Sequence, residues 1–342
     1  MTISQKSSFQ LRNSHELFIL LIVQITPFVP RRNEKMDLGV ALPTSGVFAS
    51  TGAIVRIAQE AERLGYAAVW TYERLLYPLG EGALLDGKPI ALPEDYSSTY
   101  EPIETLAYVA ARTERIKLGT SIINAPFHVP VILARRFATL DQLSGGRAIA
   151  GLGQGWMEQE FITANVTTRY RGAGIEEFIA AMRAAWGPDP VSFEGRFYHI
   201  PSSKIDPKPL QQGGVPILLG AASPAAIARA ARIADGLNPI AFSLKALEAT
   251  VNSFRSAAQA AGRDPSTLMI MVRANVPITA NPLPEDSRPF LGGSPEQIAE
   301  DLVKVEALAV DHVLFADAAS SNEEELVRRL ERLQAAVQRP GA

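Results

Sequence analysis

From Asp37 to the C-terminal end, short apolar or β-branched runs alternate with longer segments of helical period. This alternation predicts repeated strand–helix units around a parallel sheet, because parallel neighbours need a crossover connection and its helix covers the sheet. Eight runs are apolar almost throughout, as strands buried on both faces are. We therefore predict an α/β fold, a (β/α)8 barrel. The predicted strands are 38–42, 67–71, 117–123, 148–152, 216–220, 237–240, 269–276 and 312–315.

Composition removes several classes of function. A length of 342 residues fits one barrel with insertions. The 33 basic and 36 acidic residues form no basic block, which disfavours nucleic acid as a partner. The chain has no cysteine, which excludes disulfides, thiolate metal sites and cysteine nucleophiles and is compatible with a cytoplasmic location. The predicted partner is a small-molecule substrate.

The N-terminal region carries an apolar run, LFILLIVQI, at residues 17–25. The run is too short to span a bilayer and lacks a small-residue cleavage motif, so a membrane anchor or an export signal is disfavoured. Met36 is followed at once by the first predicted strand. We therefore expect residues 1–35 to be an upstream extension, non-native or disordered, and residues 36–342 to form a single domain.

Two connections exceed the length that a barrel requires. Residues 75–98 follow the second strand and residues 187–214 precede the fifth. Loops of this length usually have a function, and we expect both insertions on the functional side of the barrel. The first is a natural lid over a pocket at the carboxyl ends of the strands, or else an ordinary surface loop.

The second strand ends in Tyr72, Glu73 and Arg74. An aromatic ring, a carboxylate and a guanidinium then stand where a barrel keeps its catalytic groups, which makes these residues the best candidates for an active site. The alternative is that Glu73 and Arg74 form a structural ion pair at the rim.

The glycines of GLGQGW, residues 151–156, do not form a dinucleotide fingerprint. Trp156 occupies the place of the third glycine that such a fingerprint needs. The glycines then serve either close approach of backbone at a strand end or direct contact with a cofactor. The four histidines, His15, His128, His199 and His312, show no metal-ligand spacing, and we predict no metal.

A turn of small residues, Gly220 to Ser223, joins the fifth strand to the helix that begins at Pro224. Backbone N–H groups at such a turn can converge on a phosphate at the positive end of the helix. The alternative is a plain turn in which Ser223 caps the helix.

In order along the chain, LGTSIIN (118–124), LSGGRAIAGLGQGW (143–156), PVSFEGRFY (190–198) and PILLGAASP (216–224) resemble the luciferase-like monooxygenase family. The resemblance is strongest to its branch of oxidoreductases that use the deazaflavin coenzyme F420, and it covers most of the chain. It implies a luciferase-like TIM barrel and, in common with many family members, a homodimer.

The resemblance also implies roles for individual residues. The peptide between Ser121 and Ile122 is expected to be cis and to lie behind the central ring of the cofactor. Gly220, Ala221, Ala222 and Ser223 match the turn that holds the phosphate of the cofactor. Asn124, Gln154 and Gln159 match positions that face the ring or the substrate.

One departure from the family pattern concerns proton transfer. Many F420-dependent members read Ser-Asp-His where this chain has Tyr72, Glu73 and Arg74. A guanidinium does not release its proton near neutral pH, so Arg74 cannot replace a histidine that shuttles protons. It can stabilise an anionic ring or substrate, which leaves Glu73 as the acid or base.

Three functional hypotheses follow. The first is an F420-dependent oxidoreductase that transfers a hydride between the deazaflavin and an apolar or aromatic substrate. The substrate class is suggested by the apolar residues of the first insertion, Leu75, Leu76, Tyr77, Leu84 and Leu85. The second is a two-component monooxygenase that uses reduced FMN and oxygen. The third is a non-catalytic flavin-binding barrel.

Overall fold

The computed structural model describes residues 35–80, 82–85 and 88–338. The strands are β1 (Asp37–Ala41), β2 (Ala68–Thr71), β3 (Ala83–Leu85), β4 (Lys88–Ile90), β5 (Lys117–Thr120), β6 (Ile123–Asn124), β7 (Ala148–Gly153), β8 (Val191–Glu194), β9 (His199–Ser203), β10 (Ile217–Leu219), β11 (Gly236–Leu237), β12 (Met269–Val276) and β13 (His312–Asp317). The α-helices are α1 (Thr51–Leu64), α2 (Pro102–Ala110), α3 (Pro130–Ser144), α4 (Glu158–Thr163), α5 (Ala173–Trp186), α6 (Pro224–Ile233), α7 (Leu244–Ala260), α8 (Pro295–Ala307) and α9 (Glu323–Gln338).

Eight parallel strands close into the predicted barrel. Their order is β1, β2, β5, β7, β10, β11, β12 and β13, and β13 pairs with β1 to complete the ring. Gly39 of β1 is level with Leu314 of β13 and with Ala68 of β2, so the register is continuous where the first and last strands meet. All eight predicted strands are confirmed, with ends that differ by a few residues.

The third barrel strand is interrupted at residues 121 and 122. The peptide between Ser121 and Ile122 is cis, as the family resemblance implies, and it separates β5 from β6. The short strand β6 pairs with β7. The expected extension at residues 1–35 lies outside the described residues except for Lys35. Of the helices described, none has the length and apolar character needed to cross a membrane.

The barrel interior is built around Trp70 and His312. The indole Nε1 donates a hydrogen bond to His312 Nε2 at 3.2 Å. Gly39 and Gly119 leave room for these rings: a Cβ atom at Gly119 would lie 2.2 Å from Trp70 Cζ3. Burial lowers the pKa of His312 to about 3, so the imidazole is neutral and accepts the indole proton.

Alternation along β2 decides which residues face the barrel axis. Ala68 and Trp70 belong to the interior cluster, whereas Val69 packs against the helices and Thr71 donates to the carbonyl of Pro102 at the start of α2. Continued past the strand end, this alternation turns Tyr72 toward the barrel mouth, the space at the carboxyl ends of the strands. It turns Glu73 outward.

The two insertions lie at different ends of the barrel. The first, after β2, contains the antiparallel hairpin of β3 and β4 beside the mouth. The second contains the hairpin of β8 and β9 and connects α5 to β10, so it leaves and rejoins the barrel at the amino-terminal ends of the strands. Our expectation that both insertions lie on the functional side was wrong for the second, because helix-to-strand connections lie opposite the mouth.

Candidate active site

Tyr72 lies at the barrel mouth with its hydroxyl group hydrogen-bonded. Its Oη donates to Ser45 Oγ at 2.6 Å, and its ring centroid lies 5.6 Å from that of Tyr96 in the first insertion. Burial raises the pKa of Tyr72, so the phenol keeps its proton at neutral pH.

Arg74 is buried between two aromatic rings. Its guanidinium carbon lies 5.1 Å from the ring centroid of Tyr96 and 5.2 Å from that of Trp156. Its Nη1 is 3.1 Å from Glu160 Oε1, with side-chain exposures of 8% and 0%. In the described part of the chain, Arg74 Nε and Nη1 and Glu160 Oε2 are buried without a well-aligned hydrogen bond. The charge of Arg74 is therefore balanced by Glu160, but the hydrogen-bonding capacity of its N–H groups is not fully used.

Glu160 is a buried carboxyl group that the sequence analysis did not identify. Its Oε1 accepts the N–H of Leu75 at 2.9 Å, which ties the start of the first insertion to α4. Burial raises the pKa of Glu160, against the opposing effect of Arg74. The only local signal for this residue was an acidic side chain on the inner side of a short helix.

Glu73 points away from Arg74. Its Oε2 accepts the backbone N–H of Asn124 at 2.8 Å, and its Oε1 lies 2.6 Å from His128 Nε2. Both oxygens are thus engaged with the segment that follows the interrupted strand. The alternative interpretation of a Glu73–Arg74 ion pair is wrong, because each residue pairs with a different partner. A role for Glu73 as acid or base stays a prediction.

The interruption after β5 forms a platform at the mouth. Ser121 Oγ donates to Asn238 Oδ1 at 2.8 Å, and the Ser121 carbonyl accepts from Arg273. The Ile122 side chain covers two glycines: a Cβ atom at Gly153 would lie 2.3 Å from Ile122 Cδ1, and one at Gly220 would lie 3.3 Å from Ile122 Cγ2. The platform therefore continues into the turn at Gly220.

The glycines of β7 confirm one of the two interpretations open from the sequence. A Cβ atom at Gly151 would lie 1.8 Å from the carbonyl oxygen of Thr120. Thr120 Oγ1 also accepts the Gly151 N–H at 2.9 Å. These contacts show that close approach of backbone requires glycine here, whereas direct contact of the glycines with a cofactor stays a prediction.

The turn from Gly220 to Ser223 ends in a capped helix. Ser223 Oγ accepts the N–H of Ala226 at 3.3 Å, so the capping interpretation is confirmed. Ala222 and Ser223 are exposed at the mouth, with the exposed ring of Phe242 on the next strand–helix connection. The cap and an anion site are compatible, because capping by the side chain leaves the positive end of the helix accessible.

The two glutamines predicted to face the ring are committed to other contacts. Gln154 Oε1 accepts the N–H of Gly172 at 2.7 Å. Gln159 accepts the N–H of Leu84 at 3.0 Å and donates to the carbonyl of Gly82 at 2.8 Å, which fastens the hairpin of the first insertion to α4. The site thus brings together Tyr72, Arg74, Ser121 and Ile122, while Gln159 supports its wall.

Arg273 is the second residue that sequence analysis missed. It is the only charged residue of β12, and it reaches across the mouth to the carbonyl of Ser121. Its guanidinium carbon lies 5.4 Å from the ring centroid of Tyr72. A single charge within a barrel strand whose other residues, apart from Asn275, are apolar was the available signal.

Comparisons with known proteins agree with this architecture. The family model for luciferase-like monooxygenases matches residues 34–283. An FMNH2-dependent dimethylsulfone monooxygenase of Pseudomonas putida is 29% identical over 261 residues, which cover 75% of this chain and 64% of that protein. An F420-dependent glucose-6-phosphate dehydrogenase of Nocardia farcinica is 34% identical over 191 residues, 52% of this chain and 54% of that protein. The chain thus spans about half to two thirds of the length of the curated relatives it matches.

A solved structure supports the fold over nearly the whole chain. The crystal structure of a monooxygenase from Streptomyces bottropensis superposes with a TM-score of 0.73 at 22% identity. It covers 88% of this chain and 98% of the other. At this identity the similarity concerns the fold.

Proposed function

This chain belongs to the luciferase-like monooxygenase family, and from that premise we propose that it is an F420-dependent oxidoreductase that transfers a hydride between the deazaflavin and an organic substrate. The observation that carries the proposal is the continuous surface from the Ile122 platform to the turn at Gly220. One bound molecule with a planar ring and a phosphate can contact both.

The residues at the mouth fit such a cofactor. Ile122 offers an apolar support for the ring, and the turn from Gly220 to Ser223 offers the N-terminal end of α6 to a phosphate. When bound, the deazaflavin supplies the hydride, and the protein supplies binding and orientation.

We assign the role of proton donor to Tyr72 rather than to Glu73. Tyr72 faces the mouth, and its raised pKa keeps the phenol protonated. Its Oη can donate to a substrate oxygen that gains charge during reduction, with Ser45 Oγ beside it at 2.6 Å. Tyr96 and Trp156 pack on Arg74 and exclude water from that side of the mouth.

The second candidate is a two-component monooxygenase that uses reduced FMN. It is favoured by the dimethylsulfone monooxygenase of Pseudomonas putida, which aligns over 75% of this chain, against 52% for the F420-dependent relative. The hypothesis of a non-catalytic barrel rested only on the unusual residues Glu73 and Arg74 at the end of β2, and the catalytic relatives of this chain favour an enzyme instead.

Titration of the purified protein with F420 and with FMN, followed by fluorescence, separates the two candidates. We expect F420 to bind and its reduced form to be consumed without oxygen in the presence of a substrate. Tight binding of FMN with no binding of F420, and turnover that requires oxygen, would establish the monooxygenase instead.

We also propose that the protein is a homodimer. Sedimentation analysis of the same sample measures its oligomeric state.

Substitutions at Ser223 test the phosphate turn. Asp and Asn are both good N-cap residues, so Ser223→Asp and Ser223→Asn should each preserve α6. Only Ser223→Asp places a negative charge beside the phosphate, and we expect it alone to abolish cofactor binding. Equal cofactor affinity of the two variants would show that the phosphate binds elsewhere.

Tyr72→Phe should bind cofactor normally and lose turnover, and full activity of that variant would exclude Tyr72 as the proton donor.

A further inference from the structure

Arg273 is a cation at the barrel mouth that forms no ion pair with any of the described residues. Its Nε donates to Asn275 Oδ1 at 2.7 Å, and its Nη1 donates to the carbonyl of Ser121. These acceptors are neutral, and the tyrosine ring on which the guanidinium stacks is neutral too. Within residues 35–80, 82–85 and 88–338, no carboxylate lies within 4.0 Å of Arg273 as an ion-pair partner.

Arg74 provides a second guanidinium in the same region. Arg74 stacks on Tyr96 at 5.1 Å and Arg273 stacks on Tyr72 at 5.4 Å, and the two tyrosine rings lie 5.6 Å apart. The two cations therefore lie near the same pair of aromatic rings, and burial together with the nearby charge of Arg74 lowers the pKa of Arg273. Glu160 pairs with Arg74, whereas no carboxylate of the described residues forms an ion pair with Arg273.

A cation removed from water is costly unless an anion or a set of hydrogen bonds replaces its hydration. Here the replacement is incomplete, because Arg74 Nε and Nη1 lack a well-aligned hydrogen bond and Arg273 has no ion-pair partner among the described residues. Such an arrangement is expected where a ligand supplies the missing anion. The planar fork of a guanidinium matches the two oxygens of a carboxylate or a sulfonate.

The position of the two arginines separates them from the phosphate turn. They lie at the ends of β2 and β12, which flank β1 and β13 in the barrel. The turn at Gly220 follows β10, and β10 and β7 lie across the barrel from β1 and β13. A cofactor whose phosphate is at Gly220 and whose ring is on Ile122 leaves the side of β1 and β13 for the substrate.

We propose that the substrate carries a carboxylate or sulfonate group, which Arg273 and Arg74 bind, while Tyr72, Tyr96 and Trp156 pack against its apolar or aromatic body. This assignment rests on the proposed function, because it takes the ring and phosphate to occupy the opposite side of the mouth. Arg273 is the specificity-determining residue of the pair, since Arg74 already has Glu160.

Calorimetric titration of the full-length protein with matched anionic and neutral probes tests the proposal. The probes are benzoate and octanoate, with benzamide and octanamide as neutral counterparts of similar shape. We expect the anions to bind at least about tenfold more tightly than the amides, as hydrogen bonds to charged groups imply. The proposal would be overturned if benzoate bound no better than benzamide and octanoate no better than octanamide. This comparison needs no variant.

Variants assign the binding to Arg273. Arg273→Gln should lower the affinity for benzoate at least about tenfold, and Arg273→Lys should retain part of that affinity through its charge. Arg112→Gln is the matched control, because Arg112 also stacks on a tyrosine ring, at 5.4 Å from Tyr108, but is exposed on the barrel exterior. Unchanged benzoate affinity in a folded Arg273→Gln variant would overturn the proposal.

The same titrations with cofactor present distinguish the anion of a substrate from that of the cofactor. We expect benzoate to bind as well when F420 or FMN is saturating. Displacement of benzoate by the cofactor would show that the arginines hold the cofactor, and the proposal would be overturned. If neither F420 nor FMN binds, the proposed function fails, while the titration of the protein alone still reports whether the arginines select anions.

Discussion

The buried imidazole of His312 should make the stability of the barrel fall steeply with acidification. The folded protein holds this residue neutral, with a pKa lowered from 6.5 to about 3 by burial and by the charge of Lys117. The unfolded chain protonates the same side chain near its ordinary pKa. Between these two values the unfolded state binds more protons than the folded state, so the free energy of unfolding decreases as the pH falls.

The size of the effect follows from the two pKa values. Each pH unit between them lowers the free energy of unfolding by up to about 1.4 kcal/mol, and the loss from pH 7 to pH 5 is about 2 kcal/mol. Well above pH 6.5 both states hold a neutral imidazole, and His312 adds no pH dependence.

Denaturant unfolding at a series of pH values measures this dependence. The control is His312→Gln, which keeps an acceptor for Trp70 Nε1 but does not titrate. The variant is expected to be less stable at pH 7, but its loss between pH 7 and pH 5 should be smaller than that of the parent by about 2 kcal/mol. Parallel pH profiles for the two proteins would refute a neutral, buried His312.

Three further outcomes test the packing and the site. Gly119→Ala should lower the free energy of unfolding by about 1–3 kcal/mol in denaturant titrations, because its Cβ would lie 2.2 Å from the Trp70 ring; Gly52→Ala, whose nearest neighbour is 4.0 Å away, should not. Arg147→Lys should cost about 2–3 kcal/mol in the same assay, because one ammonium cannot replace a guanidinium that donates to four carbonyls and a hydroxyl. Glu73→Gln should lower the melting temperature and leave the pH profile of turnover unchanged; loss of turnover in a fully stable variant would restore Glu73 as the catalytic acid or base.

Much of the fold was predictable because its determinants are local. Strands buried on both faces are apolar throughout, and each is followed by a helix of clear period, so the eight strands could be placed to within a few residues. The turn at Ser223 combined a cap with a proline at the first helical position, which the structure confirms. The cis peptide at Ser121 followed from the family resemblance and is present.

The composition of the site was less predictable because it depends on partners distant in sequence. Tyr72, Glu73 and Arg74 were found together as a cluster, but alternation along β2 directs Tyr72 inward and Glu73 toward His128. That direction could have been inferred from the interior position of Trp70. The pairing of Arg74 with Glu160 could not, since 86 positions separate them and each alone resembles a solvated charge.

The sequence by itself determined the barrel and its strand positions and predicted the side of the barrel for the active site, because burial of apolar strands and the direction of parallel connections follow from local pattern. Only the tertiary structure decided what stands at the mouth. Closing the sheet brings Arg273 of β12 to the carbonyl of Ser121 and the ring of Tyr72, residues that are distant from it along the chain. Closure of the sheet is also the reason that we propose Tyr72, and not Glu73, as the proton donor. The free energy of a buried charge depends on the groups that folding places around it.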